Sequence, residues 1–192
     1  MSTTRTTCVI FNPAAGRGRA RRLVQRWRRG DPSIRLCPTE YAGQAEELAY
    51  RAACEGAVKV IAAGGDGTIH EVANGLIRSQ SSEVVLGIWP CGSANDYAFA
   101  LRLTGDIEQP TEVIEADVGQ IRSADGRERF FINGMGLGFN GAVTWESRRI
   151  RWLRGVPLYA AALFRAMIAS FDKPRMRIQF DDLRRETPTL AL

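Results

Sequence analysis

The segment Val60-Ile-Ala-Ala-Gly-Gly-Asp-Gly-Thr-Ile-His-Glu-Val-Ala-Asn-Gly-Leu76 constrains the fold more than any other part of the chain. An apolar run stops at Gly64-Gly65-Asp66-Gly67-Thr68. Ile69, Val72, Ala73, Leu76 and Ile77 then recur at i, i+3, i+4, i+7 and i+8, the spacing of one helix face. A strand must therefore turn sharply into a helix. Three glycines in four positions remove the side chains that would hold a ligand away from the backbone. The N–H groups opening the helix lack intrahelical partners and lie at the positive end of its dipole. Such a turn is a phosphate cradle, with Asp66 at its centre. A carboxylate beside phosphates is repulsive unless a metal ion or a transferable proton accompanies it, which points to chemistry beyond binding. The plain alternative is that Asp66 only caps the helix.

The flanking sequence repeats this alternation. Residues 7–11 read as strand, 18–29 as helix, 33–37 as strand and 43–54 as helix, the last with Ala45, Leu48, Ala49 and Ala52 on its apolar stripe. Residues 57–63 and 84–89 are apolar runs of strand length, and a short helix follows from 95 to about 101. Alternating strands and helices imply parallel strands with right-handed crossovers and helices on both faces, an α/β doubly wound sheet. Ligands bind such sheets beyond the carboxyl ends of the strands, where all three glycine-rich loops fall.

The pattern changes after residues 104–110. Residues 112–118 and 129–132 read as successive strands around the polar turn Ser123-Ala-Asp-Gly126, since Asp-Gly between apolar runs signals a hairpin. An apolar helix is expected over 157–171, with Tyr159, Ala162, Leu163, Ala166, Met167, Ser170 and Phe171 in line, and residues 175–180 alternate like a half-buried strand. The expected organisation is an α/β domain over 1–110 and the start of a β-rich second domain over 111–192.

Composition excludes several classes. With 45% hydrophobic and 24% charged residues among 192, the chain reads as globular rather than disordered. No apolar run approaches the roughly 20 residues that cross a bilayer, and residues 1–7 lack the apolar core of a secretory signal. Cys8, Cys37, Cys54 and Cys91 are scattered and there is a single histidine, so the pattern suggests reduced, mostly buried thiols rather than a zinc site or disulfide framework. The net charge of +5 comes mainly from arginine. Arg17, Arg19, Arg21, Arg22, Arg26, Arg28 and Arg29 crowd the first loop and helix, and Arg148, Arg149, Arg151 and Arg154 form a second group. These runs fit a solvated helix face, or attraction to anionic headgroups and nucleotide phosphate. They show no aromatic interleaving or reading-head motif, which argues against nucleic acid.

Gly64-Gly65-Asp66-Gly67-Thr68 with Glu71-Val72 and Asn74-Gly75-Leu76 resembles the signature of the diacylglycerol kinase catalytic domain family. Asn12-Pro13-Ala14-Ala15-Gly16-Arg17-Gly18, Thr39-Glu40, Pro90-Cys91-Gly92-Ser93-Ala94-Asn95-Asp96, Asp117-Val118-Gly119 and Phe131-Ile132-Asn133 through Gly138-Phe139 match further family blocks in order. NAD kinases and phosphofructokinases share only the Gly-Gly-Asp-Gly core. One departure is Gly92-Ser93-Ala94-Asn95-Asp96, where Gly-Thr-Gly-Asn-Asp is commoner. Another is length, because family members run on to complete a β-sandwich, so a fragment, a truncated product or a chain completed by a partner is expected.

The resemblance implies a lipid kinase that uses ATP and Mg²⁺ at a membrane surface, cytoplasmic and peripheral to the inner membrane. Asp66 would serve as base or through the metal, and Glu71 would touch nucleotide or metal. Nucleotide contacts would come from Asn12, Gly16, Thr39, Gly64, Gly65, Gly67, Thr68, Gly92, Ser93 and Asn95. Asp117 and Asp96 would face the lipid, and the metal ligands are left open. The plain alternatives are a helix-dipole role for Glu71, capping for Thr39 and Glu40, and structural hydrogen bonding for Asp96 and Asp117. The apolar helix would line an acyl cleft or belong to the core. Two rival readings of the whole chain stand beside the lipid kinase: an NAD kinase-like enzyme with a soluble substrate, and a nucleotide-binding chain without activity. Self-association is compatible with an unfinished second domain.

Overall fold

The computed structural model describes residues 6–31, 33–103, 113–123, 125–136, 138–150, 153, 155–169, 175–180 and 183–188. They fall into two compact units, Met1–Asn133 and Gly134–Leu192. The boundary expected at residues 110 and 111 lies outside the described residues.

The first unit is built on strands β1 (Thr6–Phe11), β2 (Arg35–Pro38), β3 (Ala57–Gly64) and β4 (Val85–Pro90), in the order β2-β1-β3-β4. All three pairings are parallel. Helices α1 (Arg19–Gly30), α2 (Gln44–Cys54) and α3 (Asp66–Ser79) make the crossovers, and a short helix α4 (Asp96–Ala100) follows β4. Side chains alternate across each strand, and this sorts the core into two layers. Cys8, Ile10, Val60 and Ala62 pack with Ala45, Ala49, Ala52, Ile69 and Val72 of α2 and α3. Val9, Phe11, Ile61 and Ala63 pack with Val24 and Trp27 of α1. Burial on both faces explains why β1 and β3 read as continuous apolar runs. The Trp27 and Trp89 rings meet with centroids 3.9 Å apart, fixing α1 over β4. Arg19, Arg21 and Arg22 are exposed, as a solvated helix face requires. The side chains of Arg17, Arg26, Arg28 and Arg29 lie outside the described set, as do Arg151 and Arg154.

Alpha-helices α2 and α3 approach closely because of Gly75. A Cβ there would stand 2.2 Å from the Glu46 carbonyl oxygen and 2.8 Å from Ala49 Cβ. The contact is locked at its rim, where Glu46 pairs with Arg78 at 3.1 Å and with Arg129 at 2.8 Å.

The strand expected over 112–118 is not formed. Residues 113–118 are irregular and exposed, and the hairpin consists of β5 (Gly119–Arg122) and β6 (Glu128–Phe131). The turn sets this register, not the apolar content. Ser123 N–H donates to the Arg127 carbonyl at 2.9 Å and Gly126 N–H to the Ser123 carbonyl at 2.9 Å, so pairing starts with Arg122 opposite Glu128 and ends with Gly119 opposite Phe131. The buried Asn74 amide pins the hairpin to α3. Its Nδ2 donates to the Phe130 carbonyl at 3.0 Å, and its Oδ1 accepts from Phe130 N–H at 3.1 Å.

The second unit contains α5 (Phe139–Arg149), α6 (Val156–Ala169) and a hairpin of β7 (Arg175–Phe180) with β8 (Leu183–Pro188). Helix α5 was not expected, because it has no apolar stripe and buries only Glu146 among its described residues. Glu146 receives Arg165 Nε of α6 at 2.7 Å and Arg149 at 3.4 Å, which holds its carboxyl below the usual carboxylate range, Arg165 contributing most. Strand β8 was also unexpected, since its sequence does not alternate and it forms as the partner of β7. The expected apolar helix is present as α6, but it buries the small Ala162 and Ala166 and exposes Tyr159, Leu163, Phe164, Met167 and Ile168. Ser170 and Phe171 lie outside the described residues. Among the described residues, no helix is long and apolar enough to cross a membrane.

Candidate active site

Four loops leave the carboxyl edge of the sheet side by side. Three of them are tied at their roots to a neighbouring strand. Thr39 N–H donates to the Phe11 carbonyl at 2.9 Å, Asn12 N–H to the Ala63 carbonyl at 3.3 Å, and Cys91 N–H to the Gly64 carbonyl at 2.7 Å. The chain moves outward from β1 to β2 and then returns to the other side of β1 as β3. The loops after β1 and β3 therefore flank the point where strand order reverses, the place where open α/β sheets take ligands.

The loop after β1 is shaped by Asn12, whose Oδ1 accepts Ala14 N–H at 2.9 Å. It then reaches Gly16, which has φ +57° and rests on the loop after β4. A Cβ on Gly16 would stand 2.5 Å from the Cys91 carbonyl oxygen. The loop after β3 presses against the same loop, since a Cβ on Gly92 would meet Gly65 Cα at 2.5 Å. Gly64 lies under Thr68, whose Oγ1 would be 2.4 Å from an added Cβ. Gly16, Gly64 and Gly92 are thus glycine because the protein's own atoms leave no room, and a Cβ on Gly65 would stand a tight 3.1 Å from Gly92 Cα. Gly67 differs: a Cβ there would meet nothing within 4 Å beyond its chain neighbours and the backbone of its own helix. It lies exposed in the first turn of α3, on open ground at the end of a helix dipole.

Asp66, the first residue of α3, is half-buried, and its Oδ1 accepts the Tyr97 N–H of α4 at 3.0 Å. The carboxylate is oriented from across the site and helps satisfy the start of α4. Asn95 closes its own loop, with Oδ1 accepting Gly92 N–H at 2.8 Å and Nδ2 donating to the Gly92 carbonyl at 3.3 Å. Its φ of +59° is one that asparagine tolerates better than most residues. Ser93 and Asp96 are exposed beside it.

Glu71 faces elsewhere. Its Oε2 accepts Ala45 N–H at 3.2 Å, in the first turn of α2, so it caps a neighbouring helix rather than opposing the dipole of its own. Beside it, Gln44 Oε1 accepts Glu40 N–H at 2.5 Å, which shapes the turn after Thr39. Asp117 is exposed in the irregular segment before β5. The structure therefore gathers the Asn12–Gly16, Gly64–Thr68 and Gly92–Asn95 loops around Asp66, with Thr39 at the flank.

Sequence reasoning missed three participants. The Cys91 main chain is the rest on which two loops pack, and the Tyr97 N–H orients Asp66. Main-chain groups carry no side-chain signal, so nothing in the sequence marked them. Asn74 is the third. A glycine inside a helix pattern at position 75 was a signal that this half of the motif serves packing.

An open parallel sheet with glycine-rich loops gathered at its strand-order reversal defines the class of α/β folds that bind ligands on that edge. Within that class, residues 6–125 match the diacylglycerol kinase catalytic domain, and the chain belongs to that family. It is 31% identical over 185 residues to a diacylglycerol kinase of Staphylococcus haemolyticus, covering 91% of this chain and 54% of that protein. A diacylglycerol kinase of Staphylococcus saprophyticus is also 31% identical, over 186 residues, covering 91% and 58%. The chain thus spans about half the length of the curated relatives it matches. A crystal structure of a diacylglycerol kinase from Bacillus anthracis strain Sterne has the same fold, with TM-score 0.63 and 20% identity, over 100% of this chain and 66% of that one.

Proposed function

We propose that this chain carries the nucleotide half of a lipid kinase, which transfers the γ-phosphoryl group of ATP to the hydroxyl of a diacylglycerol-like or sphingoid lipid. The observation that carries the reading is the pairing of Asp66, oriented by Tyr97 N–H, with the open main chain at Gly67. The phosphates lie along the Gly64–Thr68 loop and the α3 N-terminus, where unpartnered N–H groups and the helix dipole favour anions. Asn12 and Gly16 bound them on one side, Gly92, Ser93 and Asn95 on the other, and Thr39 lies toward the base.

The donor set fits Mg²⁺ brought in with the nucleotide. Among the described residues no group of three or more ligating side chains is present, and Mg²⁺ commonly uses one or two carboxylates with phosphate and water oxygens. Asp66 is the carboxylate the site offers. When bound, the ion neutralises charge building on the phosphoryl oxygens. Asp66 serves through the ion or as the base that takes the proton of the lipid hydroxyl as its oxygen attacks the γ-phosphorus, and ADP leaves on the opposite side. Glu71 acts from behind, holding α2 against the helix that carries the loop. Asp96 and Asp117 remain candidates for the headgroup. The exposed apolar face of α6 supports lipid contact, at a membrane surface approached peripherally from the cytoplasm.

The test is Mg²⁺-dependent transfer of labelled γ-phosphate to diacylglycerol, sphingosine and phosphatidylglycerol in mixed micelles, with Asp66→Asn as control. Label on one lipid that disappears in the variant supports the reading and names the substrate. ATP binding with no label on any lipid rejects this stretch of sequence as a self-sufficient kinase.

A further inference from the structure

Strands β1 and β2 carry a feature that phosphate chemistry does not use. Cys8 lies opposite Arg35 and Cys37 opposite Ile10, so the two cysteines are diagonal neighbours. They face the same core layer, their sulfurs are 3.3 Å apart, and both thiols are free. Thr39, two residues beyond Cys37, donates to the Phe11 carbonyl at the root of the candidate site.

We propose that Cys8 and Cys37 are a redox-active thiol pair, oxidised by a low-molecular-weight disulfide to an intramolecular bridge that displaces Thr39. The bridge stands on the thiol geometry alone, whereas its effect on nucleotide rests on the function proposed above.

A disulfide requires an S–S distance of about 2.05 Å, so the sulfurs must close further and one strand must give. β2 is the strand that gives. It is four residues long and, among the described strands, lies at the sheet edge and pairs only with β1. Edge strands held by one ladder open locally at low cost, which also admits the oxidant. Because the cysteines are diagonal, closing the bond draws β2 along β1 and pulls on the Thr39 contact.

The two thiols are chemically unequal. The hydrogen bond shared with Cys8, helped by the Arg35 guanidinium, holds Cys37 below the usual thiol range, and the same bond pushes Cys8 up. Cys37 is therefore the attacking thiolate. It displaces one thiolate from the small disulfide and forms a mixed disulfide. Cys8 loses its proton and attacks the Cys37 sulfur, releasing the second small thiol. Two electrons and two protons pass from the pair to the oxidant. Cys91 is buried without such a partner and burial pushes its thiol up, so it stays reduced. Cys54 is exposed and would form intermolecular adducts.

The experiment uses the Cys54→Ser chain, incubated with glutathione disulfide, denatured, alkylated and mapped by peptide mass, with ATP affinity measured before and after. The expected result is a Cys8–Cys37 linked peptide pair, lighter by two hydrogen atoms and restored by reductant. ATP affinity should fall about tenfold, the equivalent of one positioned hydrogen bond. Full alkylation of both cysteines, or glutathione left on Cys37, overturns the pair. A bridge with unchanged ATP affinity overturns the coupling to Thr39. A reduced chain that binds no ATP contradicts the nucleotide reading, while the mass map still decides the bridge.

Discussion

Beyond its chain neighbours and the backbone of its own helix, Gly67 has no atom within 4 Å of where its Cβ would stand, whereas a Cβ at Gly64 would collide with Thr68 at 2.4 Å. The same motif therefore contains glycines kept by packing and one left free for a ligand. Gly67→Ala should leave folding intact, or stabilise it by up to about 1 kcal/mol through helix propensity, while weakening ATP binding about tenfold. Thermal melts and titration calorimetry separate the two, and an equal loss of stability and binding would show that Gly67 is structural. Asn74 is the converse case. Its amide exchanges two hydrogen bonds with the Phe130 main chain, so Asn74→Ala should cost about 1–3 kcal/mol and speed hydrogen exchange in β5 and β6. Unchanged exchange there would mean that the hairpin is held by other contacts.

The elements show what a sequence can and cannot specify. Strands β1 to β4 and helices α1 to α4 were legible because their apolar spacing matches the two faces of one sheet, and the glycine loops marked its carboxyl edge. The hairpin was placed too early, since the turn at Ser123–Arg127 chose the register while Val113, Ile114 and Val118 remain exposed. Helix α5 had no stripe to read, and β8 exists only through its partner. Within the site, the loops were legible but the direction of Glu71 was not, because residue spacing does not say which neighbouring helix a side chain will cap. The α2–α3 contact turns on Gly75. Gly75→Ala would force a Cβ against the Glu46 carbonyl, and overpacking of this kind costs about 1–3 kcal/mol. Denaturant unfolding should register that loss. No loss would show that the two helices can separate freely.

At the scale of the whole molecule, one of the two compact units carries an acid-sensitive tie. In Gly134–Leu192, Glu146 is 5% exposed and bridges α5 to Arg165 of α6. Its pKa is lowered in the folded state, so the unfolded chain binds its proton more readily. The stabilisation is complete above the ordinary glutamate range and is lost as pH falls through the lowered folded value. Acid should therefore loosen α5 and α6, and Glu146→Gln should remove that pH dependence from their hydrogen exchange. An unaltered profile in the variant would assign the acid response to another group.

The central claim is that nucleotide binds on the carboxyl edge of the parallel sheet, around Asp66. Amide chemical-shift mapping of the isotope-labelled chain, titrated with Mg²⁺ and a non-hydrolysable ATP analogue, tests it most directly. The account predicts shifts concentrated at Asn12–Gly16, Thr39, Gly64–Thr68 and Gly92–Asn95, with the β5–β6 hairpin quiet. Saturable shifts centred elsewhere, with those four loops unmoved, would contradict it.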